Sequence, residues 1–245
     1  MRKRKSIILF IFIAFSIVFI YVLLFCSYNY KKHLTFPDNE DGLAIPLLYA
    51  KNFERIDLNI KIASITQYAD GFLGAYYGKM YYFNENTNSM YEVNIPEGYY
   101  SLSDIRYLNK DKNKLWDPTG LFYDQDTGYL FIANYRSHNL LVCNCNINND
   151  SLILDVQKEI SYEGMQSPEN VYVKNGVIAV ADYDGNSLWV FDLFGNLLWS
   201  KEIKLAHGVA ISDTSIYVTS LFDRTICRYS LAGEFIYQIG NEAYV

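Results

Sequence analysis

The amino-acid sequence predicts an all-β fold. We expect a β-propeller with about four recognisable four-stranded blades in an open or incomplete ring, preceded by one N-terminal transmembrane helix. A repeat of strands is the first observation: central strands end at Asn84, Asn134, Asp182 and Ser220, which are 50, 48 and 38 residues apart. Such a period, with strands and no helices, is typical of propellers. The second is composition, because 23 Tyr and 15 Phe among 245 residues favour strands.

The first predicted element is a membrane anchor. Residues 1–5 read MRKRK, and an uncharged, apolar run follows over residues 6–30. About 20 helical residues cross the hydrocarbon core of a bilayer. We therefore predict a cytoplasmic basic tail at 1–5, a transmembrane signal-anchor helix at 6–28 and a juxtamembrane linker at 29–46. A cleaved or lipidated N-terminus at Cys26 is the alternative, although no small-x-small cleavage pattern surrounds that residue.

The charge balance of the chain bears on topology and partners. Six of the 21 basic residues lie within residues 1–32 and all 27 acidic residues lie beyond them, so the remaining 15 basic residues leave a net charge of −12 there. Nucleic acid and anionic lipid need a basic footprint, so neither is an expected partner. The positive-inside bias puts the N-terminus in the cytoplasm and the propeller outside it, in the periplasm or the extracellular space.

The predicted propeller occupies residues 47–245, and its clearest blade is the third. Strands VYV, VIAVAD, SLWVFD and LLWSKEI follow one another from residue 171, separated by turns that contain Asn175-Gly176, Gly185 and Gly195. The fourth copy follows the same order over residues 207–240, and the second over residues 117–160. These strings predict antiparallel four-stranded meanders.

The first copy is less regular. We assign FLGAYY to its first strand, KMYYFN, which ends at Asn84, to its second, and a region near residues 101–108 to its fourth. A further string, NFERI at residues 52–56, is similar to the outer strand of the third copy.

The strings resemble NHL repeats, in which a Pro or Gly lead-in precedes an apolar strand, a turn, a strand ending in Ala-Asp and a strand ending in an aromatic residue and Asp. SPENVYV…IAVADYDGNSLWVFDLFGNLL matches this pattern well, and the second and fourth copies match in order and spacing with Asn or Ser in place of Asp. The resemblance covers about residues 70–240. It implies a six-bladed superfamily, so four blades suggest a truncated or split propeller that self-association or a partner chain completes.

The candidate site residues lie at strand ends and lead-ins. Two interpretations remain open for the central-strand ends: they cap strands by bonding to nearby backbone, or they form a polar ring at one end of the channel that holds a cation or a sugar. Tyrosines that follow two of these ends offer an aromatic contact surface for glycan or protein. The candidates are Asn84, Asn134, Asp182, Ser220, Tyr135, Tyr183, Asn170 and His207.

The sequence favours a non-enzymatic function. No nucleophile elbow, phosphate-binding glycine loop or convincing carboxylate pair is recognisable, so we assign no catalytic residue and no cofactor. The predicted function is a membrane-anchored, extracytoplasmic binding scaffold for protein or glycan. The alternative is a calcium-dependent lactonase-like hydrolase of the gluconolactonase and strictosidine-synthase-like propellers. Asp182, Asp184 and Asn186 resemble a calcium loop but lack the downstream Glu of a helix-loop-helix site.

Overall fold

The computed structural model describes residues 63–76, 78–101, 114–148 and 151–240. Internal contacts divide the chain into two compact units, Met1–Ile56 and Asp57–Val245, and the described residues all belong to the second. The predicted basic tail, transmembrane helix and linker, and the NFERI string, lie outside the described residues. Within the described ranges no helix has the length and hydropathy that crossing a bilayer requires.

Four antiparallel four-stranded sheets, joined in sequence as meanders, form the described fold. Sheet 1 contains β1 (Ser64–Tyr68), β2 (Gly71–Tyr76), β3 (Lys79–Asn84) and β4 (Ser89–Glu92). Sheet 2 contains β7 (Pro118–Asp124), β8 (Tyr129–Asn134), β9 (Asn139–Asn148) and β10 (Ser151–Ile160). Sheet 3 contains β11 (Pro168–Lys174), β12 (Val177–Asp182), β13 (Ser187–Asp192) and β14 (Leu197–Glu202). Sheet 4 contains β15 (Ala206–Ile211), β16 (Ser215–Ser220), β17 (Thr225–Ser230) and β18 (Phe235–Gly240).

Three small elements complete the described part. Strands β5 (Tyr100–Ser101) and β6 (Leu115–Trp116) pair in parallel between sheets 1 and 2. A short 3-10 helix, Tyr135–Ser137, follows β8. The all-β prediction and the four-bladed propeller arrangement are therefore confirmed.

Local sequence explains why the chain turns where it does. Asn175 and Gly176 both have positive φ, at 52° and 79°, as the two central residues of a type I′ hairpin turn require. That turn joins β11 to β12, whose residues from Ile178 to Asp182 are all buried. A strand buried on both faces reads as a continuous apolar run, which VIAVAD does.

The core of the described residues consists of three layers, one between each pair of consecutive sheets. Between sheets 2 and 3, for example, Phe131 and Val142 pack with Ile178 and Phe191. The first and last layers are built in the same way, from alternate residues of the strands that face each other. No single sheet encloses a core of its own, so each sheet is stable only through its neighbours.

The first strands of the four sheets lie side by side in the order β1, β7, β11, β15. Hydroxyl groups join the first two, because Ser64 Oγ accepts a hydrogen bond from Leu121 N at 2.9 Å and Thr66 Oγ1 accepts one from Tyr123 N at 3.0 Å. We call the end at which first strands begin and second strands end the top of the sheets, and the opposite end the bottom.

Sheet 1 corrects the alignment of the first copy. The structure shows that β1 is its first strand, that Lys79–Asn84 is its third strand, and that its fourth is Ser89–Glu92 instead of a segment near residues 101–108. The sequence signal failed because β1 reads SITQY, whose Ser and Thr bond to the neighbouring backbone and interrupt the apolar pattern.

Candidate functional site

The top of the sheets carries a repeated β-bulge at the start of three first strands. In β7, β11 and β15 the pairing register shifts by one residue directly after the first position, within Pro118–Gly120, Pro168–Asn170 and Ala206–Val209. The second residues of these strands are Thr119, Glu169 and His207. Bulges redirect side chains and are frequent at functional sites. The structure thus aligns a hydroxyl, a carboxyl and an imidazole on three adjacent strands.

Asp182 ends its strand inside a dense set of donors. Its carboxylate is fully buried and accepts hydrogen bonds from Ser167 N at 2.7 Å, Gln166 N at 2.9 Å and Gly185 N at 3.1 Å. The indole Nε1 of Trp189 donates a fourth, at 3.0 Å. These contacts fix the lead-in and the following turn, so Asp182 has a structural role.

Asn134 and Ser220 occupy the same place in sheets 2 and 4 and act in the same way. Asn134 Oδ1 accepts from Asp117 N at 2.7 Å, and its amide donates to Leu115 O at 2.9 Å. Ser220 Oγ donates to Lys204 O at 2.7 Å. Of the two open interpretations of the strand ends, these contacts support capping.

Asn84 is at the other end of the molecule. It ends a third strand at the bottom of sheet 1, where its Oδ1 accepts from Asn86 N at 2.9 Å and Thr87 N at 3.2 Å. A ring that includes Asn84 with the other three strand ends is therefore wrong. The physical reason is the register of sheet 1, in which the second strand ends at Tyr76 instead.

The two predicted tyrosines bridge neighbouring sheets at the top. Tyr135 follows β8, and its hydroxyl donates to Asp184 Oδ2 of sheet 3 at 2.8 Å. Tyr183 follows β12, and its ring meets the His207 ring of sheet 4 edge to face, with centroids 6.3 Å apart. Both tyrosines are half-buried, so part of each ring stays open to solvent.

Glu169 differs from the capped strand ends because its carboxylate is unused. The side chain is half-buried, and within the described ranges it forms no hydrogen bond and no ion pair. Burial raises the pKa of the Glu169 carboxyl; the His207 imidazole opposes this effect, and the carboxylates of Asp117 and Asp184 add to it. A perturbed, unpartnered carboxyl is a characteristic feature of functional sites.

The carboxylates around Glu169 are held by other groups. Asp184 accepts from Ser167 Oγ at 2.6 Å, and bonds from Ser167 and Tyr135 lower its pKa. Asp117 is buried, and burial raises its pKa although Arg136 Nε lies 3.2 Å from its Oδ2. Among the described residues no group of three or more His, Cys, Asp or Glu side chains is arranged to hold a metal ion.

The remaining predicted residue is Asn170 on β11. Together with Gly120 on the adjacent strand β7, it sets the spacing of the first strands. A Cβ added at Gly120 would lie 2.6 Å from Asn170 Cα and 2.7 Å from Glu169 O, so β7 approaches β11 closely. Thr119 Oγ1 donates to Pro168 O at 3.0 Å across the same junction. Sequence reasoning missed Glu169 and Thr119 as site residues; the shared second position of the lead-ins PTG, PEN and AHG was the available signal.

The comparisons with known proteins establish the fold. No protein-family description and no curated protein sequence matches the chain. Three solved structures are similar. Streptogramin B lyase has a TM-score of 0.52 and 14% identity, and the match covers 74% of this chain and 55% of that one. A protein of unknown function from Bacteroides caccae has a TM-score of 0.51 and 13% identity, with 74% of this chain and 61% of that one covered. A protein from Lactobacillus plantarum has a TM-score of 0.51 and 12% identity, with 73% and 55% covered in the same order.

These likenesses support a β-propeller, and at 12 to 14% identity they show the fold alone. The chain spans between 55% and 61% of the length of these structures. The finer assignment to NHL repeats stays a prediction.

Proposed function

We propose that this protein is a binding propeller that takes a hydroxyl-rich ligand, a glycan, at the top of its sheets. The Glu169 carboxylate carries the proposal, because it is half-buried and free of protein partners within the described ranges. A carboxylate that its own fold does not satisfy can accept hydrogen bonds from ligand hydroxyl groups.

The neighbours of Glu169 have complementary chemistry. Tyr135, which contacts Asp184, and Tyr183, which contacts His207, supply partly open aromatic rings, and rings of this kind provide apolar contact area with a polar tip. His207 is exposed and offers ring nitrogens that can donate or accept. A sugar presents both C–H faces and hydroxyl groups, so it can use the rings and the polar groups together.

Localisation is part of the same proposal. The MRKRK start and the uncharged run over residues 6–30 support a single-pass anchor with the propeller outside the cytoplasm. We expect the protein to stay in the membrane pellet after alkaline carbonate extraction. We also expect added protease to degrade the propeller once the outer face of the membrane is accessible, whereas release into the soluble fraction would contradict the anchor.

Glycan binding can be tested with the full chain in detergent. Array screening would identify binding glycans, and calorimetry would give Kd for wild type, Glu169→Gln and Glu234→Gln. A hydrogen bond to a charged group is worth about 1–1.5 kcal/mol more than one to the neutral amide oxygen that Gln keeps, so Glu169→Gln should weaken binding about 5- to 12-fold. Glu234 is an exposed glutamate in the bottom turn of sheet 4 and serves as the matched control.

Two results would refute the proposal. One is a complete absence of glycan binding, which would favour a protein ligand. The other is equal loss of affinity in both variants, which would place the ligand elsewhere.

The calcium-dependent hydrolase is the second candidate, and one observation favours it. A carboxyl with a raised pKa beside an imidazole can serve as a general acid or base, and Glu169 and His207 have this relation. Metal analysis of the purified chain and hydrolysis of small lactones would test it. One bound calcium per chain together with lactone hydrolysis that Glu169→Gln abolishes would put the hydrolase first.

A further inference from the structure

We infer that a cavity between sheets 3 and 4 is a binding site for a small planar aromatic molecule with an N–H donor, of which indole is the probe. The cavity has a volume of about 280 Å³ and lies between strands β17 and β18 on one side and residues 202–204, where β14 ends, on the other. None of the residues that line it belongs to the site around Glu169, so the inference goes beyond the proposed glycan binding.

Sheet 4 has a small residue at a place that the two preceding sheets fill with a larger one. The third residue of the third strand is Leu141 in sheet 2, Trp189 in sheet 3 and Cys227 in sheet 4. Leu141 and Trp189 are buried in the layers that precede their sheets. Cys227 is buried in the corresponding layer of sheet 4 and also lines the cavity. Because a thiol is much smaller than an indole, space beside it stays open.

The Trp189 side chain shows what fills this place in sheet 3. Its ring contacts the Tyr162 ring, with centroids 5.4 Å apart, and its Nε1 donates to Asp182 Oδ2 at 3.0 Å. At the junction of sheets 2 and 3 an indole ring therefore has an aromatic neighbour and a carboxylate acceptor. A free indole can use the same two kinds of contact between sheets 3 and 4.

Aromatic rings line the cavity on the side of sheet 4. Tyr229 and Phe235 meet edge to face, with centroids 5.6 Å apart, and the Trp199 ring lies 6.1 Å from that of Tyr229. Tyr229 is 7% exposed, and its hydroxyl forms no hydrogen bond within the described ranges. A buried hydroxyl without a partner is costly, which points to a ligand beside it. Phe235 is 56% exposed, so the cavity opens to solvent.

Asp223 is the acceptor for the N–H group of the ligand. Ser220 ends β16 as Asp182 ends β12, and both Ser220 and Asp223 line the cavity. Ser220 Oγ donates to Lys204 O at 2.7 Å and lies 3.2 Å from Asp223 Oδ2, so the carboxylate stands next to the strand end. The charge that the strand end itself provides in sheet 3 is therefore supplied in sheet 4 from three residues later.

The volume of the cavity selects a small ligand. A cavity of about 150 Å³ holds one benzene molecule, so about 280 Å³ accommodates a system of two fused rings. Pockets for drug-sized ligands measure about 300–1,000 Å³, so the cavity is too small for an oligosaccharide. The glycan of the proposed function and the aromatic ligand therefore do not compete for one place.

Calorimetry of the full chain in detergent, with indole as the ligand, tests the inference. Cys227→Trp gives sheet 4 the residue that sheet 3 has, so it should fill the cavity and abolish binding. Micelles take up indole equally in both samples, so the difference between wild type and this variant measures the site. Ile226→Trp is the matched control, since Ile226 is exposed on the opposite face of β17, and it should bind indole as wild type does. Benzofuran has the shape of indole without its N–H donor and should bind at least about tenfold more weakly, which corresponds to about 1.4 kcal/mol.

Alkylation of Cys227 gives a second readout that needs no variant. N-ethylmaleimide, followed by peptide mass spectrometry, should modify Cys227 in the folded chain because its thiol lines an open cavity. Indole at ten times its Kd should slow this modification about tenfold. Cys143, which is fully buried, is the internal control and should not react. Indole binding that is equal in wild type and Cys227→Trp, equal affinity for benzofuran, or labelling of Cys227 that indole leaves unchanged would each overturn the inference.

Discussion

Replacing Asp182 with alanine should destabilise the fold more than any other single strand-end substitution. Four donors bond to this buried carboxylate: three backbone N–H groups, at Gln166, Ser167 and Gly185, and the Trp189 indole. Each buried donor left without a partner costs about 1–3 kcal/mol. Water can reach part of the set, so we expect a total loss of about 4–6 kcal/mol, a large fraction of the 5–15 kcal/mol that typical domains have.

Urea unfolding of the detergent-solubilised chain, followed by circular dichroism, gives the free energy of unfolding. Asp182→Asn is the milder variant: both Asp182 oxygens accept, so an amide would place its N–H groups against donors, and a loss of about 1–3 kcal/mol is expected. Asp192→Ala is the control, since the Asp192 carboxylate accepts from Asn196 in an exposed turn. If Asp182→Ala and Asp192→Ala lose the same stability, the capping account is wrong.

Three further predictions follow from the site and the core. Glu169→Gln should stabilise the protein at pH 8 and change little near pH 3 in thermal unfolding. The folded-state pKa of Glu169 is raised, so its ionisation costs stability above that pKa, whereas well below the ordinary pKa of about 4.3 both states are protonated. An unchanged or lower melting temperature at pH 8 would contradict the burial of this carboxyl. Gly120→Ala should lower the free energy of unfolding by about 1–3 kcal/mol, because the added Cβ forces β7 away from β11. Gly208→Ala should cost less, since the atom nearest to a Cβ there belongs to the Thr219 side chain, at 3.2 Å. Equal losses in the two variants would refute the close approach of β7 and β11. Burial raises the pKa of the Cys145 thiol to about 12, so Ellman's reagent at pH 8 should label it only after unfolding, and rapid labelling of the folded chain would disagree.

Much of the fold was predictable because the apolar strands carry their own turn signals. Sheet 3 has Asn175-Gly176 at a hairpin that needs two positive φ angles, so its strands were placed correctly. Sheet 1 was not, because Ser64 and Thr66 give β1 a polar pattern. Those hydroxyl groups gain their role only when β7 lies alongside, which is a tertiary contact that local pattern cannot show.

The sequence named several residues of the site but not their contacts. Tyr135 bonds to Asp184 and the Tyr183 ring meets His207, each across a junction between sheets, and neither contact was expected from the sequence. Asp182 has the same residue type and neighbourhood in sequence that a ligand-binding carboxylate would have. What separates it from Glu169 is the number of donors each one meets, and that number depends on how the lead-in folds back over the strand end.

Hydrogen–deuterium exchange with a bound glycan tests the central claim most directly, because it separates the two ends of the sheets. Our account predicts that protection on ligand binding is confined to the top, in peptides covering residues 117–120, 166–170 and 205–208. Protection of the bottom turns at residues 125–128 and 193–196, with the top unchanged, would contradict it.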